Sequence, residues 1–274
     1  MSKTLFIALL LLICPLSSQA SEQPTRIVSI NLCTDQLLLL LADPSQITSI
    51  SYLALEPTSS FMAEQAQQYQ INHAKAEELL TLKPDLILAN EYSDRALIAL
   101  LEKLGYQVER FPLPFSIEGI QRNIARMAQL LGQEPRGEEL INQMNQRLDN
   151  IAQQRPATPP KALFYQPNSY TSGSNTLQDT ALHLAGWRNL AAEVGIEGYS
   201  AIDIEALLLA EPEQLFTSPY APGSRSLAQH QLSHPALKRV TAGRAMIEVD
   251  YKFWICGGPM IADAVEQLHR SLPR

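Results

Sequence analysis

The chain has 274 residues, 46% of them hydrophobic, with a formal net charge of −7 and three cysteines. An acidic chain repels the phosphate backbone, which excludes nucleic acid as a partner. Two mature cysteines exclude a small disulfide scaffold, while the length supports two cores of ordinary size.

Lys3, the apolar run 5–13 and the small residues Ser17, Ser18 and Ala20 have the layout of a secretory signal cleaved after Ala20. The run is too short to span a bilayer, which takes ~20 residues. Lipidation of Cys14 is the competing reading, but Ile13 stands where a lipoprotein signal carries Gly, Ala or Ser. From Arg26 onward, short apolar runs alternate with helix-like stretches, the pattern of a mostly parallel sheet flanked by helices. Strands are predicted at 27–30, 47–52, 86–89 and 107–111, and helices at 34–41, 76–82 and 94–104. Beyond them Ile117, Ile120, Ile124, Met127 and Leu131, then Ile141, Met144, Leu148 and Ile151, recur at steps of three and four. Both sets define amphipathic helices, the first closed by Gly132 and the second opened by Pro135. A helix over 135–154 would be ~30 Å long, enough for a strut between lobes. The alternation then resumes, with strands at 162–165, 214–217 and 245–249 and helices at 176–185, 204–210 and 259–272.

An internal repeat supports two lobes. Residues 77–88 align without gaps on residues 205–216, an offset of 128 throughout. Each copy carries an early Glu, a turn built on Pro84 or Pro212, and a buried strand. The expected organisation is a signal peptide at 1–20, an α/β lobe at 21–133, a connecting helix at 134–154 and a second α/β lobe at 155–274.

The run Glu77 to Leu88 with Pro84-Asp85-Leu86, the turn Thr171-Ser172-Gly173 and the Glu205 copy resemble the periplasmic binding proteins for cobalamin and ferric siderophores, the cobalamin branch most of all. The resemblance spans nearly the whole mature chain. It implies an α/β fold of two Rossmann-like lobes with parallel-type sheets, joined by a single long helix, with a ligand cleft between them and little hinge motion. It implies a monomeric, non-enzymatic periplasmic protein that captures a metal chelate (cobalamin, a ferric siderophore or haem) and delivers it to an ABC permease dimer with its ATPase. It also implies that Glu77 and Glu205, one per lobe, dock on arginines of the two permease subunits. No resident cofactor and no metal site of the protein's own are expected. A ligand sensor docking on a membrane receptor and an exported α/β hydrolase are the alternative readings, although G-x-S-x-G, P-loop, G-x-G-x-x-G and H-E-x-x-H motifs are all absent from the sequence.

Open α/β sheets bind ligands at the carboxyl ends of their strands. That rule nominates Cys33, Tyr52, Tyr92, Tyr170, Arg225, Tyr251, Phe253 and Trp254, mostly aromatic groups suited to a large flat chelate. Each aromatic has the plainer reading of packing its own lobe, and Arg225 that of a solvated loop charge. Cys33 and Cys256 fall at expected helix starts, where a thiol's pKa drops and a thiolate can meet a soft metal centre. They are otherwise quiet thiols, and a disulfide that would lock the cleft stands last among these readings. His230 and His234 are spaced i, i+4, but Pro235 follows and no third ligand is evident, so a surface helix end is the simpler account.

Overall fold

The computed structural model describes residues 23–219, 232, 235–240 and 243–273. The expected signal segment, Arg225, His230 and His234 lie outside the described residues.

The first lobe runs β1 (Ile27–Ser29), α1 (Leu32–Leu41), β2 (Ile47–Ser51), α2 (Ala63–Ala66), β3 (Ile71–Asn72), α3 (Ala76–Leu82), β4 (Leu86–Asn90), α4 (Arg95–Lys103) and β5 (Val108–Phe111). Its five strands are parallel in the order β3-β2-β1-β4-β5. Two long helices follow, α5 (Ile117–Leu131) and α6 (Glu134–Ala152). The second lobe contains β6 (Lys161–Phe164), β7 (Tyr170–Ser172), α7 (Leu177–Ala185), β8 (Arg188–Asn189), α8 (Leu190–Glu193), β9 (Tyr199–Ala201), α9 (Ile204–Ala210), β10 (Gln214–Thr217), α10 (Pro235–Val240), β11 (Ile247–Glu248) and α11 (Ile261–Arg270). Its parallel sheet is ordered β11-β10-β6-β8, with a separate antiparallel ribbon β7-β9. The fold is therefore α/β, two Rossmann-like lobes bridged by one long helix.

The helices start and stop for local reasons. Ser116, Asp94 and Thr176 accept hydrogen bonds from backbone N–H groups in the first turns of α5, α4 and α7, the ordinary N-cap arrangement. Gly132 and Gly186 end α5 and α7 at positive φ of 67° and 95°.

Period-2 alternation then sorts the strand side chains between cores. In β4, Leu86 and Leu88 join one cluster while Ile87 and Ala89 join another. In the second lobe, Ala162, Phe164 and Phe216 face one way and Leu163 and Leu215 the other. The inner faces of both sheets belong to a single cluster that continues through Ile124 and Met127 of α5, Met144 and Leu148 of α6, and Val265 of α11. The lobes thus share one core, with smaller cores on the two outer faces.

Helix α6 is fastened at both ends. Near its start Arg136 bonds Asp43 at 2.9 Å and the Leu41 carbonyl, both at the end of α1. Near its finish Arg147 reaches Asp263 at 2.9 Å and Glu266 at 2.8 Å on α11. Those two carboxylates hold the Arg147 guanidinium above its ordinary range, while Arg147 lowers Glu266. Being partly exposed, such pairs orient the helix more than they stabilise it.

The repeat at offset 128 is realised in the structure. Helix α3 maps on α9, and each ends on a left-handed non-glycine residue, Lys83 at φ 48° and Glu211 at φ 50°. Asp85 then accepts the Arg26 N–H ahead of β1, and Glu213 accepts the Lys161 N–H at the start of β6. Each carboxylate satisfies a donor at the start of the neighbouring strand.

Gly137 of α6 lies so close to α5 that an added Cβ would fall 2.5 Å from the Ala128 Cβ. Gly137→Ala gains ~1 kcal/mol of helix propensity but forces the two helices apart, and overpacking typically costs ~1–3 kcal/mol. A net loss of stability is expected in a urea unfolding curve, despite the better helix former; a rise in midpoint would show that α5 and α6 can separate freely.

Candidate functional site

The carboxyl ends of the two parallel sheets meet, and covalently so. Cys33, in the first turn of α1 just past β1, forms a disulfide with Cys256 of the second lobe across 223 residues, with Cα atoms 4.9 Å apart. This corrects the expectation of free or metal-binding thiols: the sulfur of Cys33 is committed to Cys256 and has no thiolate to offer. The reason is geometric. Asn31 caps α1 by accepting the Cys33 N–H at 2.9 Å, which fixes the first turn, while the run after β11 brings the Ile255 carbonyl to 3.9 Å from the Cys33 sulfur. The rings of Phe61 and Phe253 also meet across the lobes, at 6.2 Å.

Aromatic side chains separate into two sets. Tyr52, Tyr92 and Tyr170 follow β2, β4 and β6 and are exposed by 50%, 69% and 50%. Tyr251 and Phe253 are partly buried against the shared core. Trp254 departs from the expected open position: only 5% exposed, it packs edge-on against Phe164 and donates its indole N–H to the Ser218 hydroxyl at 2.8 Å. Tyr165 is likewise buried and bonds Ser169. Sequence reasoning missed Phe61, Phe115 and Tyr199, exposed by 40%, 50% and 55%. Phe115 also lines a cavity of about 300 Å³ between the lobes with Pro114 and Arg122 on one side and Asn175 on the other. Phe61 and Phe115 follow strand ends by several positions, so only the position rule, extended further along each loop, would have found them, while Tyr199 opens the exposed strand β9, which carries no alternation.

The turn Thr171-Ser172-Gly173 is structural. Thr171 donates to the Phe164 carbonyl, and an added Cβ at Gly173 would fall 2.0 Å from the Ile196 carbonyl oxygen. Among the described residues no group of three metal-ligating side chains forms. Glu77 and Glu205 are exposed first-turn acids of α3 and α9. Crossover helices run back against parallel strands, so both helices begin on the carboxyl-end side of their sheets.

Under the cleft floor α1 carries a fully buried acid. Asp35 accepts from the Ser51 N–H at 3.1 Å and from the Ser51 hydroxyl, tying α1 to the end of β2 where Tyr52 emerges. Burial pushes the Asp35 carboxyl from 3.8 up to about 7, against the Ser29 and Ser51 hydrogen bonds that lower it. Next to it Gln36 accepts the Phe61 N–H at 2.8 Å. Between pH 3.8 and about 7 the folded chain retains a proton that the unfolded chain has released. Stability therefore falls as pH rises through that window, by on the order of 4 kcal/mol, and is flat above it. Asp35→Asn is expected to remove this slope: the wild-type urea midpoint minus that of the variant should drop from pH 5 to pH 8, and a constant difference would show that Asp35 does not titrate there. Cys33→Ser with Cys256→Ser is expected to cost about 2–5 kcal/mol while leaving the circular dichroism spectrum intact; unchanged melting would mean that the bond does not constrain the chain.

The family model described as periplasmic binding protein matches residues 27–246. The vitamin B12-binding protein of Photorhabdus laumondii subsp. laumondii is 26% identical over 272 residues, covering 97% of this chain and 94% of the relative. The cobalamin-binding protein of Halobacterium salinarum is 24% identical over 228 residues, 82% of this chain; the match spans only 62% of that longer relative. Among solved structures, the periplasmic heme-binding protein RhuT from Roseiflexus sp. RS-1 in apo form superposes with a TM-score of 0.73 at 25% identity, over 89% of this chain and 96% of the other.

Proposed function

The chain belongs to the periplasmic binding protein family, and on that premise we propose that it captures a planar metal chelate, a corrinoid or haem, in the periplasm and hands it to an ABC permease. The observation that carries this reading is the set of half-exposed tyrosines at the carboxyl edges of two sheets whose cleft is covalently fixed. Flat macrocycles are held by aromatic faces plus a few oriented polar groups, and Tyr52 and Tyr92 on one lobe with Tyr170 on the other offer such faces. Relatives named for vitamin B12 and for heme support the chelate class and leave both members of it open.

Delivery rests on Glu77 and Glu205. One exposed carboxylate per lobe, at equivalent positions of an internal repeat on the outer ends of the lobes, suits a partner with two-fold symmetry and basic groups. The organisation into lobes 21–133 and 155–274 around helix 134–154 belongs to the same reading.

Purified protein mixed with cyanocobalamin or with hemin is expected to retain one of the two through gel filtration, read by absorbance and native mass spectrometry. Tyr92→Ala and Tyr170→Ala should each weaken binding of that chelate by ~1–3 kcal/mol. Retention of neither chelate would overturn the reading. Glu77→Arg with Glu205→Arg should leave chelate affinity intact and abolish uptake in cells lacking the wild-type protein; full uptake by the double variant would remove the docking role.

A further inference from the structure

We propose that the Cys33–Cys256 bond is a reducible latch: a dithiol reductant that opens it converts the fixed cleft into a hinged one and speeds release of the bound ligand. The latch stands on the geometry of the two lobes, and only its effect on release rests on the chelate reading above.

The bond sits at the middle of one cleft wall. Strand β1 is central in the five-stranded sheet, and Cys33 follows it, between the β2 end that carries Tyr52 and the β4 end that leads to Tyr92. Its two halves differ in access. Cys33 is partly exposed, whereas Cys256 is only 7% exposed, and a disulfide open to solvent is the kind that exchanges with thiols. Cys33 also lies in the first turn of α1, a helix of 10 residues, where the helix dipole favours negative charge and so stabilises a thiolate.

The exchange runs in two displacements. A thiolate of the reductant attacks the accessible Cys33 sulfur. A new S–S bond forms there, the bond to Cys256 breaks, and its electron pair leaves on the Cys256 sulfur, which takes up a proton. The second thiol of the reductant, deprotonated, then attacks its own partner sulfur in the mixed disulfide and expels Cys33 as the thiolate that the α1 start stabilises. Two electrons pass to the cystine, and the reductant leaves as a disulfide.

Once the bond is open, α6 and the shared core still join the lobes, but the contacts within the cleft are no longer covalent. Phe61 meets Phe253 ring on ring at 6.2 Å. The Ile255 carbonyl lies 3.9 Å from the Cys33 sulfur, and at Gly257, left-handed at φ 56°, an added Cβ would fall 2.5 Å from the Pro114 Cγ. Contacts of this kind part and rejoin. They seat the segment around Cys256 against the first lobe, so the bond re-forms in the same register under an oxidising thiol–disulfide couple.

The test starts from ligand-free protein treated with dithiothreitol in the absence of denaturant, quenched in acid, alkylated and mapped by mass spectrometry. Both thiols are expected to appear, with the circular dichroism spectrum unchanged. Spin labels on keto amino acids replacing Leu104 and Val194, exposed positions of different lobes, should give a narrow distance distribution in the oxidised chain and a broader one after reduction. Cys33→Ser with Cys256→Ser should give the broad distribution with or without reductant. Cyanocobalamin or hemin, whichever the protein retains, should leave that double variant about tenfold faster than oxidised wild type, because a preorganised cleft acts mainly on the dissociation rate. A bond that dithiothreitol cuts only when urea is present during reduction would overturn the latch. Equal distance distributions before and after reduction, or equal release rates from wild type and variant, would overturn it too. Retention of neither chelate would sink the chelate reading alone, and the thiol and distance measurements would still decide the latch.

Discussion

The two lobes are closed upon each other twice, once behind by helix α6 and once within the cleft by the Cys33–Cys256 bond. A single connection leaves a hinge; a second one on the opposite side of the axis removes it. The shared core adds to this, because the inner faces of both sheets bury their alternate side chains in one cluster through α5 and α6. Opening the cleft would require separating Phe61 from Phe253 and stretching a covalent bond. Loss of ordering entropy on binding is therefore small, and the lining is set in advance.

A rigid cleft changes what the lining residues must do. In a hinged binder, closure brings the two walls onto the ligand. Here the walls are fixed, and fit depends on where each aromatic already stands. That explains why so much buried polar structure lies directly beneath the floor: Asp35 joins α1 to the base of Tyr52, Gln36 holds the Phe61 N–H, and Asn72 ties β3 to β1 and β2. Buried polar networks of this kind specify one arrangement at some cost in stability. The raised Asp35 carboxyl is that cost made visible.

Much of the frame is legible in the sequence because local chemistry sets it. Helices at 76–82 and 204–210 follow from apolar spacing and the Pro84 and Pro212 turns, and the strut follows from steps of three and four between Ile141 and Ile151. The disulfide is not legible, since no spacing rule relates Cys33 to a residue 223 positions away. Nor is the fate of Trp254: an aromatic just past a strand reads the same whether it faces a cleft or, as here, bonds Ser218 and fills its own lobe. The ribbon β7-β9 escapes because Tyr199–Ala201 is exposed throughout and carries no alternation. Strand β3, two residues long, is below any periodic signal.

What the repeat does not share is as informative as what it shares. The paired carboxylates Asp85 and Glu213, the left-handed Lys83 and Glu211, and the buried Leu79 and Leu207 occupy equivalent positions and serve the frame alone. Strand β3 extends the first sheet to five strands, whereas β9, which precedes α9 as β3 precedes α3, pairs with β7 in a separate ribbon that carries Tyr170 and Tyr199. Each lobe thus keeps a common βα frame and pairs the strand that precedes it differently. A two-fold frame meets a two-fold partner most simply through the repeated parts, which is where Glu77 and Glu205 lie. A ligand with two unlike faces is met through the parts that differ. A planar chelate with two unlike faces is such a ligand, and on the proposed reading Tyr52 and Tyr92 of one lobe and the ribbon tyrosines of the other would each meet one of its faces.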